Sequence, residues 1–132
     1  MANKSIDGRV WKNDPVAPRD IFHSDGEPFP WLEIELENER MITGLFILNN
    51  YRNGDRLKEL EVRVGNAKVP DGQRGTQLTT NDVVGNFAGP GEDGETYMIE
   101  FSTPVRGKFI SLQLLFGEWF HIEEVYLPGG SL

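Results

Sequence analysis

The sequence predicts an all-β protein, an antiparallel β-sandwich of jelly-roll type. Fifteen glycines and eight prolines break its 132 residues into short runs. Several of those runs alternate apolar and polar residues, as half-buried strands do. No segment carries a long amphipathic helical period, and no internal repeat is present. At this length one domain, residues 1–132, is expected.

The elements follow in order. Ser5–Pro30 reads as irregular and holds Asp7-Gly8, Asn13-Asp14-Pro15 and Asp25-Gly26. A stretch of that kind is either mobile or tied down by something functional. Trp31–Leu36 alternates, with Leu32, Ile34 and Leu36 facing one way and Glu33 and Glu35 the other. Glu37–Arg40 reads as a turn. Met41–Leu48 is almost wholly apolar, which suits a central strand covered on both faces. Asn53-Gly54-Asp55 is turn chemistry, because Gly accepts positive φ and Asn or Asp bonds its own backbone. That turn precedes the alternating strand Leu60–Val64 and presents Arg52, Asp55 and Arg56 at a sheet rim, where recognition residues sit, although the stretch taken alone reads more simply as a solvated hairpin tip whose charges serve solubility. Asn66–Asn81 is a polar excursion, Asp82–Gly85 a short strand and Gly89–Gly94 a tight acidic loop. Thr96–Phe101 and Lys108–Leu115 read as strands joined by a turn at Thr103–Gly107, with Ile110, Leu112 and Leu114 inward. Phe116–Phe120 is an aromatic corner and His121–Leu127 the closing strand.

Composition narrows the function. A net charge of −8 repels phosphate backbones and argues against nucleic acid, while it is compatible with calcium. With no cysteine there is no disulfide, thiolate zinc site or Cys nucleophile. No apolar run approaches the ~18 residues of a spanning helix, so membrane insertion is not expected. No motif fixes an acid against a base, no serine sits in a nucleophile elbow and no glycine motif cradles phosphate, so the chain does not read as an enzyme. His121 and Glu123 would share a strand face at period two, a faint transition-metal pattern whose only further histidine is His23.

An ordered series of motifs resembles the F-type (fucose-binding) lectin domain, a discoidin-like jelly roll. Ile6-Asp7-Gly8 is similar to the family's entry to its calcium loop, and His23 lies seven residues before Pro30-Trp31, as the family's sugar-binding histidine does. Gly54-Asp55-Arg56-Leu57 and the strand Glu61–Gly65 resemble its Gly-Glu-Arg-Leu and Val-Arg-Val-Gly segments. Gly85–Pro90, Gly94–Thr96, Pro104–Ile110 and Ile122–Val125 look like its later strands. The chain also departs from the pattern. The family's first arginine falls on Asn49, its adjacent cysteine pair on Arg52 and Asn53, and its first strand has no counterpart ahead of Asp7.

The resemblance implies a lectin that grips fucose-containing glycans with one histidine and two arginines, whose fixed donors select hydroxyl stereochemistry. His23 and Arg56 carry over, Asn49 stands at the first arginine's place, and Arg52 in the same loop is a substitute. Phe22, Phe29, Phe116, Trp119 and Phe120 are candidates to pack on the sugar's apolar face. The resemblance also implies structural calcium on the carbonyls of Lys4, Arg9 and Glu123 and the side chains of Asp7, Asp20 and Glu124. It further implies an extracellular or secreted protein, although residues 1–7 lack the apolar run of a signal peptide. A homo-oligomer is compatible with such a module. Plainer readings stand beside these. His23 is a loop residue, Arg56 pairs with Asp55 or Asp25, the aromatics fill the sandwich ends, and the acids cap turns. Asn49 favours a discoidin-like interaction or structural scaffold without the sugar site, and a hydrolytic metal enzyme is a third alternative.

Overall fold

The computed structural model describes residues 28–117 and 119–128, together with the backbone of Phe22 and His23. Among the described residues there are six strands: β1 (Phe22–His23), β2 (Trp31–Asn49), β3 (Leu60–Gly65), β4 (Asp82–Phe87), β5 (Thr96–Leu114) and β6 (His121–Tyr126). They pair antiparallel in the order β1-β6-β2-β5-β3-β4.

Two expected turns are absent. Glu37–Arg40 lies within the 19-residue β2, and Thr103–Gly107 within the 19-residue β5. Pairing between the two strands is interrupted there and resumes in a shifted register, between Glu35 and Arg40 and again between Ile42 and Gly44. The polarity that suggested turns belongs to the exposed side of these irregularities, where Glu37, Asn38 and Glu39 face solvent. Such offsets bend and twist a strand without ending it.

The bends make the sandwich. Trp31–Glu35 pairs with Phe109–Gln113, which also carries β3, whereas Gly44–Leu48 pairs with Thr96–Glu100 and carries β6 on its other side. Leu32, Ile34, Leu45, Ile47, Val62, Ile99, Ile110, Leu112, Ile122 and Val125 from both halves join one buried cluster. Close approach across that cluster explains Gly85, where a Cβ would lie 3.0 Å from Ile99 Cγ2 and 3.1 Å from the Phe101 ring. Met41–Leu48 is central but not covered on both faces: Leu45 and Ile47 are fully buried, Phe46 and Leu48 are half-buried, and Met41 is exposed.

The Asn66–Asn81 excursion covers the opposite face of β2 and β5. Val69 and Leu78 bury themselves with Trp31 in a second small cluster. Beneath them sit polar side chains that alternation alone would place in water. Glu33 accepts from the Val69 amide at 2.8 Å. Gln113 accepts from the Leu78 amide at 2.8 Å and donates to the carbonyls of Phe29 at 2.9 Å and Thr76 at 2.7 Å. A buried polar group is tolerated only when its partners are present.

Gln113→Leu removes three of these bonds at once and leaves one amide and two carbonyls without that partner. It is expected to cost about 2–4 kcal/mol. Urea denaturation checks this: the midpoint should fall while the m-value stays constant.

Candidate functional site

The Arg52–Leu57 loop is built by close backbone approach. Asn53, not Gly54, takes the left-handed conformation, with φ of 56°, which Asn tolerates better than most residues. A 3-10 turn at Gly54–Arg56 follows, and the Leu57 amide donates to the Gly54 carbonyl at 3.1 Å. Gly54 is required for space: a Cβ there would lie 2.6 Å from both the Asp93 nitrogen and the Glu92 carbonyl carbon. The Gly54 amide donates to Asp93 Oδ1 at 2.7 Å, so the acidic Gly89–Gly94 loop is a structural partner of the arginine loop.

Asn49 locks the two loops together. Its amide nitrogen donates to the carbonyls of Gly54 at 3.0 Å and Glu92 at 2.9 Å, and its oxygen accepts from the Asn50 amide at 2.8 Å. Only 1% of Asn49 is exposed. The position where the resemblance puts a sugar-gripping arginine therefore holds a buried clasp, with both amide hydrogens engaged by backbone. Asn50 adds a further bond from its side chain to the Arg52 carbonyl.

Above this clasp the rim is cationic and aromatic. Arg52, Asp55 and Arg56 are exposed. The Arg56 guanidinium stands 5.7 Å over the Trp119 ring, and Lys58 Nζ lies 5.2 Å over the Phe116 ring. Among the described residues neither arginine forms an ion pair, with Asp55 or any other acid. Among the described residues no carboxylate engages the Arg56 guanidinium, and the ring restrains the group. Trp119 and Phe116 face solvent, whereas Phe120 is buried and belongs to the core. Phe29 lends its carbonyl to Gln113. Lys58 carries no signal of its own in the sequence, because only the fold brings it to Phe116.

The topology brings His23 to the same end. Ile122 pairs with Asn49 on one side and Phe22 on the other, and His23 stands opposite His121, two residues beyond Trp119. Two strand spacings, about 10 Å, separate β1 from β2 there. The backbone thus places His23 near the end of β2 from which the arginine loop departs.

Of the expected calcium ligands, Lys4, Asp7, Arg9 and Asp20 lie outside the described residues. Glu123 and Glu124 are on β6, where the pairing with β2 slips between Leu48 and Asn49. The slip leaves both glutamates half-buried between the fully buried Ile122 and Val125. Burial pushes the Glu123 carboxyl above its ordinary range, and such a carboxylate gains from a nearby cation. Adjacent hard oxygens fit the chemistry calcium requires. Among the described residues, no three His, Asp or Glu side chains cluster as a metal site. His121 and Glu123 do share a face, with Nε2 and Oε2 3.7 Å apart.

No family model matches the sequence, and no curated protein does. Solved structures do. An f-lectin (fucolectin) from striped bass serum superposes with a TM-score of 0.69 at 22% identity, over 81% of this chain and 35% of that one. The chain has the discoidin-like β-sandwich fold of that lectin. A Clostridium perfringens module, CpGH89CBM32-5, solved with GalNAc-β-1,3-galactose, matches with a TM-score of 0.63 at 15% identity, over 95% of this chain and 88% of that one. A Streptococcus pneumoniae fucose binding module gives 0.60 at 15%, over 93% and 87%. This chain spans about a third of the length of the striped bass protein.

Asn49→Ala is expected to destabilise by about 2–4 kcal/mol, since two carbonyls and one amide lose their partner. Hydrogen exchange should accelerate first in residues 50–57 and 91–95, which the clasp joins. Uniform exchange across both strands instead would refute a local clasp.

Proposed function

We propose that the chain is a carbohydrate-binding module that takes fucose-containing glycans at the Arg52–Arg56 rim. One observation carries this reading. Arg56 projects from a rigid loop, is braced by Trp119 and has no acidic partner among the described residues. An immobilised guanidinium with unspent donors is suited to vicinal hydroxyls, because little side-chain freedom is lost on binding. Trp119 and Phe116 offer exposed ring faces for the apolar side of a sugar. The ligands named for structures of the same fold, fucose and GalNAc-β-1,3-galactose, support the class.

In this reading His23 and Arg56 take the hydroxyls, Arg52 supplies the second guanidinium, and Asn49 acts from beneath by holding the loop. The module binds without catalysis and meets its glycans outside the cell. Calcium held by Asp7, Asp20 and Glu124, with the carbonyls of Lys4, Arg9 and Glu123, ties the N-terminal segment to β6. The buried commitment of Asn49 favours the scaffold alternative, in which the sugar site is lost.

A glycan array separates the two. Binding to fucosylated glycans that falls at least about tenfold in Arg56→Ala and in Trp119→Ala is the expected result. A flat array with a folded protein would leave the scaffold. Calcium is tested separately by melting. At a hundred times its Kd it should add about 2.7 kcal/mol, and Glu124→Gln should reduce that gain. A melting temperature indifferent to calcium and chelator rules the ion out.

A further inference from the structure

Next to the arginine loop lies a cavity of about 160 Å³. Its walls begin where the Lys58–Phe116 pair ends: Glu59 follows Lys58 in the chain, and Leu115 precedes Phe116. Arg56 and Glu59 are separated by no more than about 11 Å of chain. The volume is below the ~300–1,000 Å³ of sites that take drug-sized ligands, so the cavity accepts one small ring.

The lining is mixed in the way a sugar ring requires. Leu115, Ala88 and Phe87 supply apolar wall, and the Phe87 ring is fixed against Tyr97 at a centroid separation of 4.6 Å. Glu61 and Asn86 stand opposite each other in the ladder of β3 and β4, which sets their Cβ atoms about 4.5–5.5 Å apart. An ion pair with Arg63, at 3.4 Å, orients the Glu61 carboxylate. A carboxylate accepts hydroxyl hydrogens, and an amide both donates and accepts. Glu59 completes the wall in the left-handed region, with φ of 50°. Its amide donates to the Ala88 carbonyl at 3.0 Å, and its carbonyl accepts from the Leu115 amide at 2.8 Å. Glycine would take that conformation without penalty. The chain places an exposed carboxylate there instead.

We propose that this cavity is a second subsite, which binds the neutral pyranose linked to a fucose held at the rim. The inference rests on the proposed sugar binding by Arg52 and Arg56. Glu59 and Glu61 accept from the hydroxyls of the second ring and repel an acidic sugar. Phe116, 64% exposed, offers ring surface to the glycan between the two subsites.

Calorimetry on the full chain compares methyl fucoside with fucosyl-galactose disaccharides of every linkage. The best disaccharide should bind at least about tenfold tighter than the monosaccharide. Asn86→Ala and Glu59→Gly should remove most of that gain and leave the affinity for methyl fucoside unchanged. Glu59→Gly should melt no lower than the unsubstituted chain, because glycine suits the left-handed backbone. The subsite is overturned if no disaccharide exceeds methyl fucoside, or if both substitutions spare the gain or weaken both ligands equally. A lower melting temperature in Glu59→Gly also overturns it, since the side chain would then serve the fold. In each of these cases, methyl fucoside binding that Arg56→Ala abolishes leaves the rim site standing. Absence of binding to methyl fucoside and to every disaccharide ends both proposals.

Discussion

The offset pairing of β2 with β5 is the constraint on which the rest depends. Two 19-residue strands run alongside each other and shift register twice. A straight ladder of that length would be a flat ribbon with two separate faces to cover. The offsets turn it over, so that the first half of each strand helps close the core over its own second half. The same offsets decide where the chain ends its strands. β2 stops at Asn49, beside the start of β6, and from there the arginine loop departs. The rim is therefore a consequence of how two strands bend.

Loops attached to such a frame still need fixing, and the chain fixes them with buried polar side chains. Asn49 holds the arginine loop, Asp93 holds its 3-10 turn, and Gln113 and Glu33 hold the Val69–Leu78 flap. Each of these side chains replaces hydrogen bonds that a loop backbone would otherwise make to water. No disulfide is available for the task in a chain without cysteine. The loops become rigid as a result, which limits the ordering cost of binding.

Local pattern made the strands legible and their continuity illegible. Leu60–Val64 and Leu32, Ile34 and Leu36 alternate as they are buried, and Ile110, Leu112 and Leu114 are inward as their spacing indicates. Glu37–Arg40 misleads because an exposed bulge and a turn select the same polar residues. Glu33 and Gln113 mislead because a flap from Asn66–Asn81 buries the face that alternation assigns to solvent. Arg56 is legible as a rim residue from its turn chemistry. Its brace, Trp119, is distant in sequence, so the pairing appears only in the fold. Asn49 reads in sequence as a missing arginine, and in the fold as a clasp. Short-range pattern carries no information about which distant carbonyls a side chain will meet.

The charge distribution separates two kinds of recognition. A net charge of −8 sets up a long-range field that repels polyanions. A neutral glycan is indifferent to that field and responds to donors within hydrogen-bonding range. Arg52, Arg56 and Lys58 are cations in an acidic protein, and Arg56 and Lys58 lie over aromatic rings, with no carboxylate paired to either among the described residues. An arginine paired to an acid would have spent its directional donors, and one left in water would lose orientational freedom on binding. A ring beneath the guanidinium avoids both, because it restrains the plane without occupying the N–H groups. In the proposed reading those N–H groups are offered to the hydroxyls of a neutral glycan. It also implies binding that is nearly independent of salt, since no net ion pair is formed.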